Sequence, residues 1–105
     1  LNVIVGDCWE VDLALIPNKI DLYSYDCGHS ESDQCKALTY YLPVLDDVFI
    51  YCCDDYGWGE VKAGTKRGIE EAGLEVLFEQ EFVTDHEYDN MSWWTGYYIA
   101  LLKKK

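Results

Sequence analysis

A chain of 105 residues supports one hydrophobic core and lies near the lower size at which an α/β sheet is covered on both faces. Half of the residues are apolar and 15% aromatic, which argues against disorder, while a formal net charge of −12 with eight Lys and Arg leaves no basic patch able to track phosphates. The composition thus excludes nucleic acid as a partner, and with no apolar run approaching ~18 residues and no signal peptide the expectation is a cytoplasmic protein with no membrane span.

Leu1–Val5 reads as a first strand, broken by Gly6–Asp7 and a turn through Cys8–Trp9. Glu10–Ile16 follows as one or two helical turns, ended by Pro17–Asn18. The second strand, Ile20–Tyr25, stops at Asp26–Cys27–Gly28–His29–Ser30. Ser30 is an N-cap with Asp33 completing a capping box, and Glu31 and Asp33 suit the positive end of the helix dipole. Cys35, Leu38, Thr39 and Leu42 recur at helical spacing, which predicts the face that packs on the sheet, and Pro43 stops that helix. Asp46–Asp47 reads as the turn into a central strand, Val48–Cys53, which is apolar enough to be buried on both faces.

A second helix is predicted from Gly59 or Glu60 to Ala72, with Val61, Thr65, Gly68, Ile69 and Ala72 on one side and Gly73 as a left-handed C-cap. Gly64 and Gly68 each cost ~1 kcal/mol relative to Ala in a helix interior, which close approach to the sheet would justify. Leu74–Phe82 reads as a strand with one wetter face, Val83–Met91 as a polar loop, and Ser92–Leu102 as a last, aromatic strand. Two strands joined without a helix cannot be parallel neighbours, so the chain is expected to close in an antiparallel hairpin. Lys103–Lys105 reads as a solvated tail. No repeat or linker divides residues 1–105, which read as one domain or part of one.

The five cysteines are odd in number and lack Cys-x-x-Cys spacing, so reduced structural thiols are expected. Cys52 and Cys53, adjacent on a strand, point to opposite faces and do not bridge. The chain begins with Leu inside an apparent strand, which suggests a cut precursor or part of a longer reading frame.

Each of the first three strands breaks at an Asp with a Gly nearby. In open α/β sheets ligands collect outside the carboxyl ends of strands, so these breaks suggest one polar rim. At ~5 Å and an effective dielectric of ~20, each pair among Asp26, Asp54 and Asp55 would repel by about 3 kcal/mol. A divalent cation with oxygen ligands would offset this, with His29 as a candidate general base. The plainer alternatives are that Asp54 caps the following helix, Asp55 is solvated, Asp26 accepts from amides of its own turn, and His29 is a surface hydrogen-bonder. Trp58 is placed to face substrate, His86 reads as solvated, and Trp93 and Trp94 as covers for a sheet edge.

These residues carry a resemblance. Gly6–Asp7, Ile20–Asp21–Leu22, Tyr25–Asp26–Cys27–Gly28–His29–Ser30, Tyr41–Leu42–Pro43–Val44–Leu45, Cys53–Asp54–Asp55–Tyr56–Gly57–Trp58 and Trp93–Trp94–Thr95–Gly96–Tyr97 resemble, in order, segments of class I S-adenosylmethionine-dependent methyltransferases. The nearest group is the small-molecule O-methyltransferases of the macrocin and cephalosporin-pathway type. Cys27 stands where that family usually has Gly, and its Gly-rich turn and ribose-binding acid have no counterpart in these residues.

The resemblance implies a truncated Rossmann-like α/β sheet, parallel strands followed by the antiparallel hairpin. It implies S-adenosylmethionine near Asp7, Cys8 and Asp26, Mg²⁺ at Asp26, Asp54 and Asp55, His29 as base, and a small-molecule hydroxyl as methyl acceptor. The family's strand order is third, second, first, fourth, fifth, seventh, sixth. Leu1–Val5 is therefore expected either to move beside Ile20–Tyr25 or to leave a gap filled by another chain, as a homo-oligomer or a separate N-terminal half. Two other functions stay open: a non-catalytic methyltransferase-like remnant serving dimerisation or binding, and a phosphoacceptor domain of receiver type built on Asp54 and Asp55.

Overall fold

The computed structural model describes residues 2–82 and 95–105. Strands β1 (Ile20–Tyr25), β2 (Leu45–Asp54), β3 (Leu74–Phe82) and β4 (Tyr97–Lys104) form one sheet in the order β1-β2-β4-β3. β1 and β2 are parallel, and the β2–β4 and β3–β4 pairs are antiparallel. Helices α1 (Glu31–Thr39) and α2 (Gly59–Glu71) lie together on one face of the sheet. The result is a small mixed α/β domain.

Local signals set most element ends. The Ser30 hydroxyl accepts from the Asp33 amide at 3.1 Å and starts α1. Gly73, at φ +66°, ends α2 in the left-handed conformation that glycine adopts without steric cost. The core follows the strand period of two: Leu45, Phe49, Tyr51 and Cys53 of β2 and Tyr98, Ala100 and Leu102 of β4 point at the helices and are buried. Each fully buried Leu or Phe contributes about 1.5–3 kcal/mol.

Among the described residues, no helix covers the opposite face. Leu22, Ile50, Leu101 and Phe78 pair in register across all four strands, and Leu22 and Phe78 keep 64% and 60% of their surface exposed.

Several expectations are corrected. Residues 2–5 form no strand; Val3 and Val5 are exposed coil at 73% and 92%. Nothing pairs with β1 except β2 among the described residues, so the expected shift of this segment to the sheet edge does not occur, and one parallel pair replaces the expected three parallel strands. An isolated apolar pentapeptide has no backbone partners to hold it extended. Glu10–Ile16 contributes a single 3₁₀ turn, Leu13–Leu15. Asp46 and Asp47 lie inside β2, which begins at Leu45 directly after a second 3₁₀ turn, Leu42–Val44.

The α2 glycines serve helix–helix contact, not contact with the sheet. A Cβ on Gly64 would stand 2.4 Å from the Glu31 carbonyl oxygen, and one on Gly68 3.1 Å from that of Cys35. The terminal lysines are not a free tail, since Lys103 and Lys104 belong to β4 and Lys104 Nζ donates to the Leu45 carbonyl at 2.6 Å. The polar loop, His86, Trp93, Trp94 and the start of the expected last strand lie outside the described residues. No helix among the described residues is long and apolar enough to cross a membrane.

Candidate functional site

Parallel pairing of β1 and β2 puts Tyr25 opposite Cys53, so the two strands end side by side and hand Asp26 and Asp54–Asp55 to the same rim. From β1 the chain turns through Gly28, whose carbonyl accepts from Tyr25 Oη at 3.0 Å and from Gln34 Nε2 at 2.9 Å. Gln34 is buried on α1, and its Oε1 accepts from Cys53 Sγ at 3.3 Å. One amide thus ties the loop, the helix and the central strand together. His29, next in the chain, is aimed along the rim.

At the end of β2, Asp55 adopts φ +59°, a conformation uncommon for a residue with a Cβ. The Trp58 amide donates to the Asp55 carbonyl at 3.0 Å, and the Gly57 amide to the Thr95 carbonyl at 2.7 Å. A Cβ on Gly96 would stand 2.4 Å from the Gly57 nitrogen, so only glycine permits this approach of the two segments. Thr95, itself at φ +55°, donates its hydroxyl to Asp55 Oδ1 at 2.5 Å.

Asp55 Oδ2 lies 2.8 Å from His29 Nε2. Both carboxylate oxygens are therefore engaged, one by Thr95 and one by the imidazole. Asp55 is largely sequestered, with 16% of its side chain exposed, while His29 keeps 42% in contact with solvent. The Trp58 ring meets His29 edge-on at 4.7 Å between centroids. With Nε2–H donating to Asp55, Nδ1 is the nitrogen left to accept a proton.

Asp26, His29 and Asp55 each offer a ligand atom within 4.8 Å of the others. Asp54 stands outside this group and accepts from the Asp55 amide through Oδ1 at 2.8 Å. The rim is therefore two carboxylates and an imidazole, where the sequence suggested three carboxylates. The imidazole N–H directed at Asp55 and the exposure of Asp26 both lessen the repulsion between the two carboxylates.

The implied cofactor residues sit at the neighbouring edge. Asp7 Oδ1 accepts from the Trp9 amide at 2.8 Å, and Cys8 Sγ lies 3.8 Å from Cys27 Sγ. Trp9 anchors this segment, stacking on Tyr25 at 6.1 Å and meeting Tyr40 edge-on at 5.8 Å. Tyr41 Oη donates to the Cys8 carbonyl at 2.5 Å and Tyr40 Oη to that of Val11 at 2.8 Å.

Sequence reasoning did not single out Gln34 or Thr95. Gln34 carries no pattern signal beyond a polar residue on an otherwise apolar helix face, and Thr95 only its Gly neighbour. No family model matches the chain, and comparison with curated proteins and with solved structures gives no match either.

Proposed function

We propose that this chain forms the acceptor side of an S-adenosylmethionine-dependent O-methyltransferase fold, in which His29, oriented by Asp55, takes the proton of a small-molecule hydroxyl. The observation that carries the reading is the 2.8 Å bond between His29 Nε2 and Asp55 Oδ2 at the carboxyl end of the sheet, with Asp55 fixed in turn by Thr95. A base held by a carboxylate that is itself anchored follows the general logic of nucleophile activation. The sheet order β1-β2-β4-β3 is the one the resemblance implies for the fourth, fifth, seventh and sixth strands, which supports the same reading.

The residues fit the parts of the reaction unequally. A hydroxyl approaching His29 Nδ1 along Trp58 has a base, an apolar wall and the neighbouring Asp26 carboxylate. The methyl donor has no Gly-rich turn or ribose acid here, so Asp7, Cys8 and Asp26 are the residues proposed to contact it. Bound S-adenosylmethionine supplies an electrophilic methyl group. His29 accepts the hydroxyl proton at Nδ1, and Asp55 stabilises the resulting imidazolium through Nε2–H. A divalent ion fits Asp26, His29 and Asp55 by donor type, with Mn²⁺ better suited than Mg²⁺ to a set containing imidazole. It requires the His29–Asp55 bond to open.

A second reading, a non-catalytic binding or dimerisation module, is favoured by the apolar row Leu22, Ile50, Leu101 and Phe78 on the sheet face opposite the helices. Calorimetric titration with S-adenosylmethionine, with and without Mg²⁺ or Mn²⁺, separates the two. Saturable heat supports the methyltransferase reading. No heat at millimolar ligand overturns it and leaves the module, whose self-association sedimentation would then detect.

A further inference from the structure

We propose that Cys8 and Cys27 form a redox-responsive dithiol that closes to an intramolecular disulfide and pins the His29 loop. Their sulfurs lie 3.8 Å apart although 19 positions separate them in the chain, and both are free thiols. Cys27 is exposed and Cys8 half-buried, so small oxidants reach the pair, in contrast to Cys35, Cys52 and Cys53, which are buried. The two sulfurs would close from 3.8 Å to about 2.0 Å, and both cysteines lie outside helices and strands.

The placement of the pair gives the bond a consequence. Cys8 is held on the body of the protein through Tyr41 Oη on its carbonyl and through Trp9 packed on Tyr25. Cys27 lies between Asp26 and Gly28–His29, the loop that carries two members of the rim cluster. Oxidation therefore ties the loop that carries Asp26 and His29 covalently to the segment that Tyr41 and Tyr25 hold. Burial and the adjacent Cys27 push the Cys8 thiol above its ordinary range, which suits it to the second, intramolecular step rather than to first attack.

With a low-molecular-weight disulfide such as glutathione disulfide as oxidant, the Cys27 thiolate attacks one sulfur and expels a glutathione thiolate. The Cys8 thiolate then attacks Cys27 Sγ and expels the second glutathione. Two protein thiols lose two electrons and two protons overall, and one glutathione disulfide becomes two glutathione molecules. A dithiol reductant reverses the exchange.

The test uses the whole chain. Incubation with glutathione disulfide followed by alkylation and peptide mapping is expected to show a Cys8–Cys27 linkage, loss of two thiols per monomer and a reductant-reversible rise in melting temperature of at least about 5 °C. Either C8S or C27S is expected to abolish that rise and leave at most a single glutathione adduct. Phenylarsine oxide, which bridges close thiol pairs, is expected to bind the reduced chain one to one and to lose at least about tenfold in affinity in either variant (about 1.4 kcal/mol). A stable glutathione adduct on Cys27 with Cys8 still reduced, a disulfide between chains, or arsenical binding unchanged by C8S would overturn the proposal.

Discussion

His29 Nε2 and Asp55 Oδ2 lie 2.8 Å apart, and this bond joins the loop after β1 to the turn after β2. Neither residue is placed by its own element alone. The imidazole depends on Gly28 being held by Tyr25 and Gln34, and the carboxylate on a left-handed Asp55 fastened to Thr95. The pair reports how the two parallel strands end together.

Asp55→Asn separates fold from chemistry at this position. Asn tolerates the left-handed conformation that Asp55 holds at φ +59° and can still accept from Thr95, but it lacks the charge. The variant is expected to unfold in urea within about 0.5 kcal/mol of the parent. Its Mn²⁺ affinity, measured by electron paramagnetic resonance, is expected to fall by about tenfold or more. Asp55→Ala, which keeps the strain and loses both bonds, is expected to cost about 1–2 kcal/mol of stability as well.

Gly64→Ala gains about 1 kcal/mol of helix propensity yet is expected to destabilise the protein by about 2 kcal/mol net. The new methyl would sit 2.4 Å from the Glu31 carbonyl oxygen, a backbone atom that cannot swing away. Gly68→Ala, whose nearest contact would be 3.1 Å, is expected to lie within about 1 kcal/mol of the parent. Urea midpoints at constant slope would order the two, and equal midpoints would contradict close α1–α2 packing.

Tyr51 is fully buried, and the only side chain beside its hydroxyl among the described residues that hydrogen-bonds with it is the Cys53 thiol, a weak partner. A buried hydroxyl with only a weak partner carries a desolvation cost, so Tyr51→Phe is expected to stabilise the protein by about 1 kcal/mol. A drop in melting temperature for this variant would mean that the hydroxyl has a stronger partner in solution.

Alkaline pH is expected to destabilise the fold in a defined window. Burial pushes the Cys53 thiol up to about 11, and burial likewise raises the Tyr56 and Tyr98 phenols, whose hydroxyls donate to Glu81 and Glu79. Folded values above the unfolded ones mean that this stability is complete below the ordinary thiol and phenol range and is lost as pH rises through the folded values. The melting temperature should be level from about pH 7 to 8.5 and fall from about pH 9 upward. In Cys53→Ala the fall between about pH 9 and 11 should be shallower. An unchanged slope would remove Cys53 from the account.

The element ends were readable because their causes are local. Ser30 bonds an amide three residues away and Gly73 supplies a conformation within one residue, whereas α1 ends at Thr39, ahead of Leu42 and Pro43, which belong to the second 3₁₀ turn. The antiparallel pairing of β3 and β4 was equally legible, since the polar sequence between them read as a loop too short for a parallel crossover. Asp26 and Asp55 could be named as rim residues because each follows a strand.

Other placements depended on contacts remote in sequence. Leu1–Val5 has the composition of a strand, yet a strand needs a neighbour to satisfy its amides and carbonyls, and residues 2–5 have none in the sheet. Composition could not tell whether Gly64 faced the sheet or α1, nor whether Lys104 would reach the Leu45 carbonyl. The same holds at the rim. Asp54 and Asp55 are adjacent in sequence and alike in chemistry, and it is the left-handed turn at Asp55, held by a threonine 40 positions away, that brings one to His29 and leaves the other capping its neighbour's amide.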